Sequence, residues 1–240
     1  MELLAAAALL LQEEALVKLI RTADEHYVRR AEDGRAQKAV EAYKKAIVLD
    51  ESRVESYWKL ARAYYWLGSR EKESARAAPL YREGIDFLKI AVSIDGESIH
   101  ARFWLATMYG LFGQAKGILQ SLDLVEPMKA ELEWVLKKDE TFEQAAAHRV
   151  MARLLFKLPG FQGGDNEKAK KHLARAIEIA PKNLLNYLYL AEIHYSEHRR
   201  KEAKETLLKL QEQPDDPDWL PECKDQREDA KRLLAALEKE

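Results

Sequence analysis

Apolar residues recur in this chain at steps of three and four, and the steps repeat in two kinds of frame. The first frame runs through Val54, Leu60, Ala61, Tyr64 and Gly68. Ile99, Leu105, Ala106, Tyr109 and Gly113 fall under it, and Leu184, Leu190, Ala191 and His194 follow the same order. A Leu-Ala step with an aromatic three residues on lies on one face of a helix. The alanine lets a second helix approach closely. That second helix carries the other frame, small, then large apolar, then small: Ala39, Tyr43, Ala46; Gly84, Leu88, Ala91; Ala169, Leu173, Ala176. Ala203, Leu207 and Leu210 give a weaker fourth case. Pro181 stands where one helix must stop and the next begin.

These are the spacings of tetratricopeptide (TPR) helix pairs, whose period is 34 residues. Ala176 to Leu210 covers 34 residues, but Ala46 to Ala91 covers 45 and Ala91 to Ala176 covers 85, so the array is irregular. The pattern predicts an all-α, right-handed TPR-like solenoid of about five irregular helix pairs plus a C-terminal capping helix, eleven or twelve helices in all. As one domain over 1–240 it would comprise an N-terminal helix in 1–34, the repeat array in 35–212 and a capping segment in 213–240. Extra length falls near 69–80, 114–127 and 159–165, with a short inserted helix expected around Gln114 to Leu122.

Composition agrees. Alanine and leucine number 34 each, against 23 for valine, isoleucine and threonine together, which disfavours strands. The net charge of −2 gives no reason to expect nucleic acid as partner. No 18-residue apolar run exists, so no membrane span is expected. Leu3 to Leu11 is all leucine and alanine, but Glu2 precedes it and Glu13 and Glu14 follow. It reads as the start of a helix; the alternative is the remnant of a trimmed export signal.

Residues outside the generic repeat narrow the field. One block is Phe103-Trp104-Leu105-Ala106, Tyr109-Gly110, Gly113, Lys116-Gly117 and Leu122. A second is Arg149, Met151, Ala152 and Arg153, leading into Leu158-Pro159-Gly160-Phe161-Gln162-Gly163-Gly164-Asp165 and Lys168-Ala169. Over roughly Ala23 to Leu234 the chain resembles the T component of TRAP transporters, the TatT-like family of bacterial TPR-like lipoproteins. It is similar, more distantly, to the regulator of microtubule dynamics family. The resemblance implies a non-enzymatic, periplasmic scaffold that forms a homo-oligomer and partners the solute-binding P component of a TRAP-type uptake system. It also implies an array enclosing a pore for an apolar ligand. Family members carry a lipid on the first cysteine of the mature chain, and no cysteine stands near Met1, so either a lipid anchor lies upstream of the given chain or this member is not lipidated. The alternative is a cytoplasmic TPR adaptor that binds peptide segments of partner proteins, the reading if no export signal precedes the chain.

Helical geometry selects the candidate binding residues. With Tyr57, Leu60, Ala61 and Tyr64 turned inward, Glu55, Arg62 and Trp66 point the other way, with Trp58 and Tyr65 on the shoulder. The next unit offers His100, Thr107 and Leu111, with Phe103 on its shoulder. Packing between repeats competes as an explanation for Trp58, Tyr65 and Phe103, whereas an outward Trp66 beside Arg62 suits a contact surface.

Other motifs weigh less. His194, Glu197 and His198 match H-x-x-E-H, but His194 occupies a packing column and a third ligand is missing, so no metal is expected. Gly163-Gly164-Asp165 reads as a tight turn with Asp165 or Asn166 capping the next helix. Arg149 and Arg153 share a face and suit a buried ion pair with a neighbouring unit. His26, His100, His148 and His172 make no ligand set, and Cys223 has no paired histidine. No catalytic constellation and no cofactor site are expected.

Overall fold

A computed structural model describes residues 1–239, the side chains of residues 2–5 and 8 left aside. The described residues form eleven α-helices and no strand. The chain divides into two compact units, residues 1–131 and 132–240. In the first, α1 (Glu2–Val28) pairs with α2 (Arg35–Leu49), α3 (Val54–Arg70) with α4 (Ser74–Ile94), and α5 (Ile99–Lys116) packs on α4 and α3. Helix α6 (Val125–Lys138) runs across the boundary. In the second, α7 (Phe142–Lys157) pairs with α8 (Asn166–Ile179) and α9 (Leu184–Ser196) with α10 (Arg200–Glu212). Helix α11 (Leu220–Lys239) lies on α9 and α10 and closes their core with Cys223, Ala230 and Leu237.

The two frames form the core. Ala39, Tyr43, Ala46, Leu88, Ala91, Ala169, Leu173 and Ala176 are fully buried, as are Leu60, Ala61 and Ala106. At Gly68 the Tyr81 ring of α4 lies directly against α3, since a Cβ there would lie 2.4 Å from it. The fit is weaker in α9, where Leu190 and His194 are only half-buried and Tyr187 and Leu188 take the interior.

The turns between pairs repeat as faithfully as the helices. After α2, Asp50 accepts a hydrogen bond from the Ser52 amide at 2.9 Å. Asp95 after α4 does so from the Glu97 amide at 2.9 Å, and Asp139 after α6 from the Thr141 amide at 2.8 Å. Such Asx turns stop one helix and aim the chain at the next. A second lock spans six residues each time. The Tyr57 hydroxyl donates to the Glu51 carbonyl, Arg102 Nε to the Gly96 carbonyl, and the Tyr187 hydroxyl to the Pro181 carbonyl.

Two places differ from the sequence pattern. The helix expected around Gln114 to Leu122 is not one element: α5 runs on to Lys116, Gly117 (φ 101°) ends it, and two 3₁₀ turns follow, Ile118–Gln120 and Leu122–Leu124. At the start of α7, Glu143, Gln144 and Ala145 take left-handed φ values of 47°, 59° and 63°. The buried guanidinium of Arg149 donates to the carbonyls of Glu143 and Gln144 and holds this turn closed.

Candidate aromatic–cation surface on the first unit

Helices α1, α3 and α5 bring aromatic and cationic side chains together within residues 1–131. Arg62 Cζ lies 4.2 Å from the centroid of the Tyr27 ring and 5.3 Å from that of Trp58. Trp58 in turn stacks on His100, with centroids 4.5 Å apart and ring planes 22° apart. One run of contacts, Tyr27–Arg62–Trp58–His100, thus crosses from α1 through α3 to α5. Tyr65 meets Trp104 at 5.5 Å, and Trp104 meets Phe103 edge-on at 5.5 Å.

The charges around this run are unequally served. Lys59 holds both nearby carboxylates, Asp24 and Glu55, each at 2.7 Å. Asp24 also accepts the Tyr43 hydroxyl at 2.6 Å. Burial and then that hydrogen bond push the Tyr43 phenol well above its ordinary value. Among the described residues, no carboxylate lies within ion-pair distance of Arg62, and its Nε is buried without a hydrogen-bond partner. The Tyr43 hydroxyl also lies within hydrogen-bond reach of Arg62, and a guanidinium fork set against aromatic rings is of the kind that takes a carboxylate in two-point contact.

Trp66 requires a correction. It is 5% exposed and does not offer itself to solvent. Arg70 lies 3.9 Å and Arg30 5.3 Å from its ring centroid, so cations from α3 and from just beyond α1 cover the face that an isolated helical wheel leaves open. Phe103 is buried too, as a packing residue. Glu55, Trp58, Arg62, Tyr65, His100, Thr107 and Leu111 are half-buried, so part of each reaches the surface. Thr107 Oγ1 donates to the Phe103 carbonyl at 3.0 Å. The contacts join Trp58, Arg62 and His100 directly and Glu55 through Lys59. Tyr65 and Phe103 meet at Trp104, while Thr107 and Leu111 continue along α5.

The sequence frames omitted Tyr27, Asp24 and Lys59. The i, i+4, i+7, i+11 spacing of Leu16, Ile20, Ala23 and Tyr27, all buried, was the available signal for the packing face of α1.

The remaining motifs resolve structurally. Helix α9 ends at Ser196 and His198 has φ 58°, so His194 and His198 do not share a helical face. Among the described residues no three His, Cys, Asp or Glu side chains converge on a point where a metal ion could sit. Asp165 caps α8 by accepting the Lys168 amide at 2.9 Å. Arg153 pairs with Glu192 of α9, and Arg149 donates to the backbone carbonyls of Glu143 and Gln144.

No helix among the described residues is long and apolar enough to cross a membrane. No curated protein matches the chain in sequence. Among solved structures, a thermophilic TPR protein of Thermus thermophilus superposes with a TM-score of 0.70 at 19% identity, covering 92% of this chain and 99% of its own. PilF of Pseudomonas aeruginosa gives 0.59 at 14% identity, over 94% and 93%. MamA of Desulfovibrio magneticus gives 0.52 at 16% identity, over 82% and 94%. At such identities the likeness speaks for the fold alone, a TPR fold. The sequence profile of the TRAP transporter T-component matches residues 1–224. With the profile spanning nearly the whole chain and the helix pairs in place, this protein belongs to the TRAP transporter T-component family.

Proposed function

We propose that this chain is a non-enzymatic accessory scaffold that captures the periplasmic solute-binding P component of a TRAP-type uptake system, and that it does so through the α1–α3–α5 surface. Family membership supports the type of partner. The observation that carries the choice of surface is Arg62, a partly buried cation set against Tyr27 and Trp58 with no carboxylate of its own. Trp58, Tyr65 and His100 supply rigid apolar area around it, and Glu55, Thr107 and Leu111 form its rim. A partner carboxylate placed on Arg62 completes the charge balance that folding leaves open, in the manner of an interface hot spot.

The test is calorimetric titration of the P component from the same organism into the wild-type chain and into Arg62→Gln. Glutamine keeps hydrogen-bonding capacity without the charge. The expected result is a Kd raised at least tenfold with an unchanged melting temperature. Equal affinity in the variant overturns the surface. Absence of binding to the P component, with capture of acidic peptides instead, replaces the whole reading by the adaptor alternative.

A further inference from the structure

A groove between the start of α4 and the end of α5 encloses about 510 Å³ and shares no residue with the surface described above. Its floor is apolar, made by Ala75, Ala78, Pro79, Phe112 and Ala115. Its rim carries Arg82 and Lys116. Both cations gather on one ring: Arg82 Cζ lies 4.3 Å, and Lys116 Nζ 6.0 Å, from the centroid of Phe112.

No negative charge answers them. Arg53, Arg102 and Arg153 each lie against a carboxylate, yet among the described residues Arg82 and Lys116 have none within ion-pair distance. The acids nearest in sequence are otherwise engaged, Glu83 with Lys44 and Tyr64, and Glu73 with Arg76. Asp86, one turn along α4 from Arg82, makes no ion pair with it. Two cations that share one ring above an apolar floor offer an anion attraction from both sides.

The backbone adds to the same preference. Ser74 opens α4 and lines the groove; the Arg76 and Ala77 amides donate to the Glu73 carbonyl, and since the helix has no side-chain cap the Ser74 and Ala75 amides remain as donors at its start. The volume lies within the usual range for small-molecule sites.

We propose that this groove is a binding site for a small organic carboxylate with an apolar body, its carboxylate between Arg82 and Lys116 and its body on Phe112 and Pro79. Octanoate is the probe, followed by amide chemical shifts of the ¹⁵N-labelled chain and by calorimetry. Octanol and octylamine serve as head-group controls, and a peptide ending in a free C-terminal leucine represents the other source of a carboxylate. Octanoate is expected to shift residues in 74–82 and 112–116 and to bind more weakly as sodium chloride is raised, while octylamine does not bind. Arg82→Gln with Lys116→Gln should weaken octanoate at least tenfold. Ala115→Phe, which fills the groove and leaves both charges, should abolish binding. Thermal melts establish that the variants fold. The proposal is overturned if octanol binds as well as octanoate, if the double variant binds equally, if the shifts map elsewhere, or if only the peptide binds.

Discussion

Replacing Gly68 with alanine tests whether α3 and α4 cross where their frames place them. The added methyl would stand 2.4 Å from Tyr81 Cε1 and 2.7 Å from Cζ, about 1 Å inside ordinary contact. Tyr81 is buried, so its ring has little room to withdraw. Alanine within a helix gains roughly 1 kcal/mol over glycine, whereas overpacking a filled core costs about 1–3 kcal/mol or more, and an overlap of about 1 Å with a buried ring belongs in the upper half of that range. The net expectation is a loss of about 1–2 kcal/mol, or a fall in Tm of roughly 2–8 °C for a chain of this size. Repeating the substitution in a Tyr81→Ala background removes the collision and leaves the propensity, so there Gly68→Ala should stabilise by about 1 kcal/mol. The reversal of sign, worth roughly 2–3 kcal/mol of coupling, separates a specific contact from a general disturbance. Urea denaturation followed by circular dichroism reads all four proteins. A neutral or stabilising Gly68→Ala with Tyr81 in place would refute the assigned crossing.

Two further expectations concern the second unit. His148 Nδ1 faces His172 Nδ1 at 2.8 Å, and its Nε2 lies 3.3 Å from Glu140, so two charged rings cannot both keep this geometry. Burial lowers both histidines below the ordinary value, and the like charge of His148 adds to the effect at His172. The unfolded chain therefore takes up protons that the folded pair refuses, and stability should fall as pH drops through about 6.5. His172→Gln should remove part of that fall in melts between pH 7.5 and 5.5, with His148 and His194, both also lowered by burial, supplying the remainder. Arg149→Met leaves the left-handed turn at 143–145 without its donor and should cost about 2–4 kcal/mol in urea unfolding. Arg149→Lys should rescue little, because an ammonium does not reproduce the fork across two carbonyls.

The sequence disclosed the repeats because packing between two helices leaves a local trace. A Leu-Ala step and a small-large-small triplet are short-range patterns, and Ala39, Ala61, Leu88 and Ala176 are buried where those patterns require. The Asx turns at Asp50, Asp95 and Asp139 were equally legible, one aspartate after each of α2, α4 and α6, but attention to apolar positions passes over them. Trp66 was not legible in the same way. A helical wheel of α3 carries no information about which other segments of the chain lie over it, and Arg30 from beyond α1 covers the ring. The turn at 143–145 was hidden for another reason. Left-handed backbone is normally announced by glycine or asparagine, and here Glu143, Gln144 and Ala145 adopt it because Arg149 binds their carbonyl side. The groove rim was invisible since Arg82 and Lys116 are 34 positions apart and meet only at Phe112.

The α1–α3–α5 surface is proposed to receive the P component. Hydrogen–deuterium exchange of this chain, measured alone and with a saturating excess of the P component from the same organism, addresses it without any substitution. Slower exchange is expected in the last two turns of α1, along α3 and in the first half of α5, with α7 to α11 unchanged. Protection confined to α7–α11, or no protection anywhere, would contradict it.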